Sequence, residues 1–254
     1  MIGIKVFIGP AEHPVTGQSV AFGILKYYGT PDEVFLHYPN KFNIIVFYNF
    51  FRSLLKLLIS WKSRVVYLSI SRSRKGFLRD FTIIVLAKIF KAPVICHLHG
   101  ADLKNFYINE NIFFRIVIYC TYRFLVSSMI LLTKRMKQEL VYPIKYKVIP
   151  NAVSPEFETY FSHRHQKSYC KNNKLNLAFI SNLIETKGIL VLLDVVEKLA
   201  SHDLQLNIYG SKGYSNKVDA RMQELGDNVF YHGVVTGDKK NKAFAEADII
   251  ILPT

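Results

Sequence analysis

VVYLSISRSRKGFLRDFTIIVLAKIFKAPVICHLHG, Val65 to Gly100, decides the fold class. Residues 65–70 form a short apolar run rich in β-branched and aromatic side chains, the composition of a buried strand. The polar segment SRSRKG follows, and the apolar spacing over residues 77–90 is helical. Pro93 then punctuates the chain before a second apolar run at 94–98. Two strands joined through a helix must lie parallel, because only a crossover of a dozen or more residues returns the chain to the same edge.

The same unit repeats outward in both directions. Towards the N-terminus the sequence predicts a strand over 5–8, a helix over 19–28 ended by Gly29 and a strand over 34–38. An apolar stretch at 43–47 then runs into a helix near 50–61. Towards the C-terminus it predicts a helix over 110–124, a strand over 129–132, a helix over 134–141 and a strand over 146–149. The texture changes at IPNAVSPEF, Ile149 to Phe157, with two prolines and an asparagine between periodic blocks. A second series follows: strands over 177–181, 204–209, 229–231 and 248–252, with helices over 188–200, 216–225 and 239–245. The expectation is an α/β protein of two doubly wound parallel-sheet domains. The boundaries are residues 1–150, a hinge and loop at 151–174, and a second, incomplete domain at 175–254.

Composition narrows the function classes. Half of the 254 residues are hydrophobic, as in an ordinary globular protein. The net charge is +14, and all of it sits in the first half: residues 1–150 hold 21 Lys and Arg against 7 Asp and Glu, whereas residues 151–254 hold 12 of each. That asymmetry points the first domain at an anionic surface, nucleic acid or membrane. No zinc-finger, RRM or KH signature accompanies it, so a nucleic-acid partner is not expected. Cys96, Cys120 and Cys170 form no CxxC pair, as expected of reduced thiols in a cytoplasmic protein. No secretory leader opens the sequence. The best membrane-span candidate, residues 112–133, contains Arg115 and Arg123, each costing about 2.5–3.5 kcal/mol at mid-bilayer. A peripheral position on the inner face of the plasma membrane is expected instead. Its contact segment would be FFRSLLKLLISWKSR, Phe50 to Arg64, unless that apolar stripe is simply core.

Ligands of open parallel sheets bind beyond the carboxyl ends of the strands, so the chemistry is sought there. The first strand is followed by GPAEHPVTGQS, whose Gly17 opens a helix; it is either a plain turn or an anion-facing loop. Arg72, Arg74 and Lys75 follow the strand at 65–70 and offer either a phosphate contact or a solvated loop. HLHGADL follows the strand at 94–98. Alternation puts His97 and His99 on one side, and His99 at the strand end could serve as a base or bind a hydroxyl. Two histidines and Asp102 fall short of a metal set, and no metal is expected. In the second half, NLIETKG places Lys187 and Gly188 at a helix start, where ammonium and helix dipole favour an anion together. Gly210, in GSKG, permits close backbone approach.

These pieces together resemble glycosyltransferase family 4, the retaining enzymes of GT-B fold. The resemblance runs through TGQS (Thr16 to Ser19), HGAD (His99 to Asp102), IPNAV (Ile149 to Val153) and FISNLIETKG (Phe179 to Gly188). It continues through NIYGSKG (Asn207 to Gly213), VFYHGVV (Val229 to Val235) and ADIIILPT (Ala247 to Thr254). It is closest to transferases that build bacterial capsule, exopolysaccharide or lipopolysaccharide. It implies transfer of a sugar from a nucleotide-sugar donor to a lipid-linked or polysaccharide acceptor, without cofactor or metal. His99 would contact the transferred sugar, while Gly17, Lys187, Gly188 and Gly210 would hold the donor. Arg72, Arg74, Lys75 and Asp102 would face the acceptor or the membrane. In two respects the sequence departs from the family. Asn182 stands where an Arg is common, and the paired glutamates that normally follow ADIIILPT are not reached, so an inactive, C-terminally shortened form is the alternative expectation.

Overall fold

A computed structural model describes residues 4–12, 16–38, 44–60, 64–152, 174–199, 202–212 and 216–253. The chain divides into two compact units, Met1–Ala152 and Val153–Thr254. Most of the expected hinge at 151–174, together with Trp61 to Ser63, Gly213 and Thr254, lies outside the described residues.

The first unit runs β1 (Ile4–Pro10), α1 (Gly17–Tyr27), β2 (Glu33–Tyr38), α2 (Ile44–Ser60), β3 (Arg64–Ser69), α3 (Arg74–Ile89) and β4 (Val94–Leu98). After these come α4 (Leu103–Ile108), α5 (Ile112–Cys120), a π turn (Thr121–Leu125), β5 (Ser128–Leu131), a 3-10 helix (Lys134–Glu139) and β6 (Tyr146–Val148). Its six strands pair in the order β2-β1-β3-β4-β5-β6, all parallel. The order reverses between β1 and β3, which opens a crevice at their carboxyl ends.

Burial follows from the apolar spacing. Helix α2 turns Phe50, Leu54 and Leu58 inward at intervals of four, and α3 adds Phe77, Ile83, Ile84 and Ala87. These pack with Val66, Leu68, Cys96 and Leu98 from the central strands into one core. Thr16 caps α1 reciprocally: its hydroxyl accepts from the Ser19 amide (3.1 Å), and the Ser19 hydroxyl accepts from the Thr16 amide (2.8 Å).

The second unit holds β7 (Leu175–Ile180), a short 3-10 turn (Glu185–Lys187), α6 (Ile189–Lys198), β8 (Leu204–Tyr209), α7 (Asn216–Glu224), β9 (Val229–Tyr231), α8 (Gly237–Glu246) and β10 (Ile249–Ile250). Its strands pair parallel in the order β10-β7-β8-β9, so the reversal lies between β7 and β10. Phe179, Ile189, Leu193, Leu206 and Ile208 form its core.

Several local expectations need correction. The stretch at 43–47 does not precede α2 as a separate piece but belongs to it from Ile44. The helix expected over 110–124 ends as α5 at Cys120 and continues as a π turn. There the Thr121 hydroxyl bonds the Val117 carbonyl (2.7 Å), and the Thr121 amide is shared between two carbonyls. Helix α4 was not anticipated; its six residues are too few to show a period. The segment from Lys134 is 3-10 rather than α-helical. Of the membrane stripe expected at Phe50 to Arg64, Phe50, Leu54 and Leu58 are core, Ile59 is exposed, Arg64 begins β3, and Trp61 to Ser63 lie outside the described residues.

The α2 packing sets an expected contrast. Leu54→Ala should cost about 2–5 kcal/mol by urea denaturation. Arg52→Ala, on the exposed face one turn away, should stay within about 0.5 kcal/mol.

Candidate functional site

In the first unit, the side chains around the strand ends of β1, β3 and β4 interlock. Gln18, in the first turn of α1, donates through Nε2 to Ser69 Oγ (2.7 Å) and to the Ile70 carbonyl (3.2 Å). It thereby ties the start of α1 to the end of β3 across the crevice. Gly17 beside it is exposed, and a Cβ there would meet nothing within 4 Å. The loop after β3 is fixed from beneath. The Ser71 amide donates to Asp80 Oδ2 (2.7 Å), and Arg79 grips the other Asp80 oxygen through Nε (2.9 Å) and Nη2 (2.6 Å). Asp80 is fully buried, and burial pushes its carboxyl up to about 6 despite Arg79.

His97 and His99 lie side by side, as alternation along β4 requires, with ring centroids 3.9 Å apart. His97 Nδ1 is hydrogen-bonded to the Tyr67 hydroxyl. Burial raises the Tyr67 phenol well above its ordinary range, so the hydroxyl keeps its proton and is able to donate to Nδ1 or accept from it. The other ring nitrogen of His97, Nε2, is buried without a partner among the described residues. Both ring nitrogens of His99 are likewise buried and unpartnered among the described residues. Burial lowers His97 to about 3, helped by His99, and lowers His99 to about 4, helped by the Arg72 cation beside it. At neutral pH both rings are uncharged.

Arg72 reaches over the HGAD loop to Asp102, Nη1 to Oδ1 2.8 Å. A Cβ on Gly100 would fall 1.1 Å from Arg72 Nη1, so only glycine lets the guanidinium lie there. Arg74 pairs with Glu110 (2.6 Å), which leaves Lys75 as the cation of this loop with no ion pair among the described residues. The expected phosphate loop Ser71 to Gly76 thus has two of its three charges already matched.

In the second unit the predicted residues cluster at the reversal between β7 and β10. Lys187 closes the 3-10 turn after β7, and Gly188 at φ 71° starts α6. A Cβ on Gly188 would lie 1.8 Å from the Pro253 carbonyl oxygen beyond β10. Gly210, at the end of β8, has φ 151°, and a Cβ there would lie 1.8 Å from the Ser181 carbonyl. The Asn182 side-chain oxygen accepts from Ser211 Oγ (2.8 Å), which leaves its amide NH2 as the donor for a ligand. Lys187 forms no ion pair among the described residues. The loop leaving β7 thus presents a cation, an amide and a helix start, with Gly210 beside it at the end of β8, a set suited to an anion.

Residues 174–254 match the family model described as glycosyl transferases group 1. This segment is similar to the group 1 glycosyl transferases. The fold of the two units is that of the GT-B glycosyltransferases. A glycosyltransferase from Rickettsia africae superposes with a TM-score of 0.66 at 17% identity, over 100% of this chain and 74% of that one. The Anabaena protein HepE, solved in complex with UDP and glucose, gives 0.62 at 14% identity, over 98% and 73%. A trehalose-6-phosphate synthase studied for glycosyl transfer with retention gives 0.58 at 9% identity, over 98% and 77%. No curated protein matches the chain in sequence.

The residues that sequence reasoning missed are Tyr67, Gln18, Ser69 and the Arg79–Asp80 pair. Tyr67, Gln18 and Ser69 have partners on other elements that the sheet order brings to them, whereas Arg79 and Asp80 are neighbours on α3 that hold the loop leading into it. Among the described residues no group of three or more His, Cys, Asp or Glu is placed to hold a metal ion.

A pH dependence follows from the depressed histidines. Their folded values lie below the unfolded value near 6.5, so the unfolded chain binds more protons as pH falls from about 6.5 towards about 4. Their share of stability is present above that window and lost within it. Asp80, raised to about 6, works in the opposite direction over part of the same range. His99→Gln should therefore shrink the difference in urea midpoint between pH 7.5 and pH 5, with the largest change at pH 5, where the variant escapes the cost of keeping a buried imidazole neutral.

Proposed function

We propose that the chain transfers a sugar, with retention, from a nucleoside-diphosphate donor to a lipid-linked or polysaccharide acceptor in cell-surface glycan assembly. The observation that carries this reading is the rim of Lys187, Gly188, Asn182 and Gly210 at the strand reversal of the group 1 segment. A diphosphate seated there would meet the Lys187 ammonium and the first amides of α6. In the transfer, the bond from the anomeric carbon to the phosphate oxygen breaks and a bond to the acceptor oxygen forms on the same face. The acceptor proton passes to the departing phosphate. Negative charge grows on the leaving oxygen, and fixed donors stabilise it with little reorganisation.

In this scheme His99 meets the transferred sugar as a neutral ring able to donate from one nitrogen and accept at the other. Its two unpartnered nitrogens support that role. The excess charge of residues 1–150 supports work at the anionic inner face of the plasma membrane. No helix among the described residues is long and apolar enough to cross a membrane. The acceptor side would use Arg72 and Asp102 as one ion-paired unit, with Lys75 beside them.

Lys187→Ala should weaken UDP or GDP binding by roughly 10- to 100-fold in calorimetry, about 1.5–3 kcal/mol for a lost charged contact. His99→Ala should lower the transfer rate more than donor affinity. Unchanged nucleotide affinity in the Lys187 variant would remove the donor assignment.

A further inference from the structure

Helix α5 is apolar nearly all the way round, yet it lies on the surface. In IFFRIVIYC the only charged residue is Arg115. One side is accounted for: Ile118 is fully buried, and Phe114 and Val117 pack on the first core. The other side is not. Ile112, Phe113 and Ile116 are 68%, 74% and 54% exposed, and they fall within one stripe of the helix. The π turn prolongs the stripe. Its extra residue lets Tyr122 turn into the core while Phe124 points outward at 63% exposure. A helix that is hydrophobic all round is ordinarily covered on every side.

The charge around this stripe selects the cover. No Asp or Glu occurs between Glu110 and Glu139, whereas Arg115, Arg123, Lys134, Arg135 and Lys137 all lie in that span. The Arg123 guanidinium sits over the exposed Phe124 ring, 5.5 Å from its centroid, and Arg115 lies over Tyr107 at 5.2 Å. The 3-10 helix carrying Lys134 to Lys137 packs against α4, the element preceding α5. A second copy of the chain docked through this face would set arginine against arginine. An anionic lipid surface takes both parts, because acyl chains receive the apolar side chains while headgroup phosphates meet the cations.

We infer that the exposed stripe of α5 and its π turn is the surface by which this chain inserts into an anionic lipid monolayer. The inference deepens the membrane part of the proposed function and does not depend on the transfer chemistry. It moves the contact from the segment Phe50 to Arg64, where Phe50, Leu54 and Leu58 are buried and Ile59 is exposed.

The test is flotation of the purified chain with vesicles of phosphatidylcholine alone and of phosphatidylcholine with 30–40% phosphatidylglycerol, a range of roughly natural anionic content. The chain should float with the anionic vesicles and not with the neutral ones. The double variant Phe113→Ser/Ile116→Ser should lose binding by at least about tenfold. Arg123→Gln should lose about fivefold, as expected for one headgroup cation. Tyr27→Ser, an equally exposed apolar position on α1, should bind like the parent. Because all these side chains face solvent, thermal midpoints should be unchanged. If no form floats, the membrane reading itself fails and this inference with it. If the chain floats but the stripe variants float equally well, the membrane reading stands and the assignment to α5 is overturned. If the stripe variants instead turn a dimer into a monomer in sedimentation velocity without changing flotation, the cover is a second copy and the inference is equally overturned.

Discussion

Parallel strand pairing is the constraint on which the rest of this molecule rests. A parallel neighbour cannot be reached by a tight turn, so each strand is followed by a return path, mostly a helix, that brings the chain back to the same end. All strand carboxyl ends in a sheet then face one way, and the loops leaving them share one rim. In the first unit that rim gathers Gln18, Ser69, Arg72, His97 and His99 from three strand ends. In the second it gathers Asn182, Lys187, Gly188 and Gly210 from two. The first set is scattered in sequence and is brought together by the sheet order; in the second, Gly210 alone comes from a distant stretch, carried to the loop after β7 by the pairing of β7 with β8.

The two rims solve different electrostatic problems. The first holds its charge in matched pairs: Arg72 with Asp102, Arg74 with Glu110, Arg79 with Asp80. Among the described residues, what remains unmatched there is Lys75 on the loop and, buried deeper, the nitrogens of two uncharged imidazoles. The second rim leaves an ammonium without a counter-ion beside the start of a helix. A polyhydroxyl group suits the first environment and a phosphate the second. The strongly basic count of the first half is therefore not concentrated at its strand-end crevice. It is carried outward, onto surfaces such as that around α5.

How much of this the sequence revealed depends on whether a feature is periodic or pairwise. The alternation of strands and helices was legible because apolar spacing is a local property; β4, β8 and β9 fall where the pattern put them. The adjacency of His97 and His99 was legible for the same reason. The Tyr67–His97 bond was not, because it depends on the register between β3 and β4. Gly100 illustrates the same limit. Within HGAD it reads as a turn residue, and only the path of Arg72 across it shows that a side chain there would displace the guanidinium. Helix α4 and the π turn escaped notice because one is too short for a period and the other breaks it.

The contact between Gly188 and the Pro253 carbonyl has a kinetic meaning. The loop that carries Lys187 leaves β7, but the group that closes against it arrives only after β8, β9 and β10 have been made. The two are 65 positions apart in the chain. Closing so long a loop is slow compared with forming the local turn that Glu185 to Lys187 makes by itself. During synthesis the strand end that closes against this turn emerges last, so the turn's final shape is among the last features of the second unit to be set.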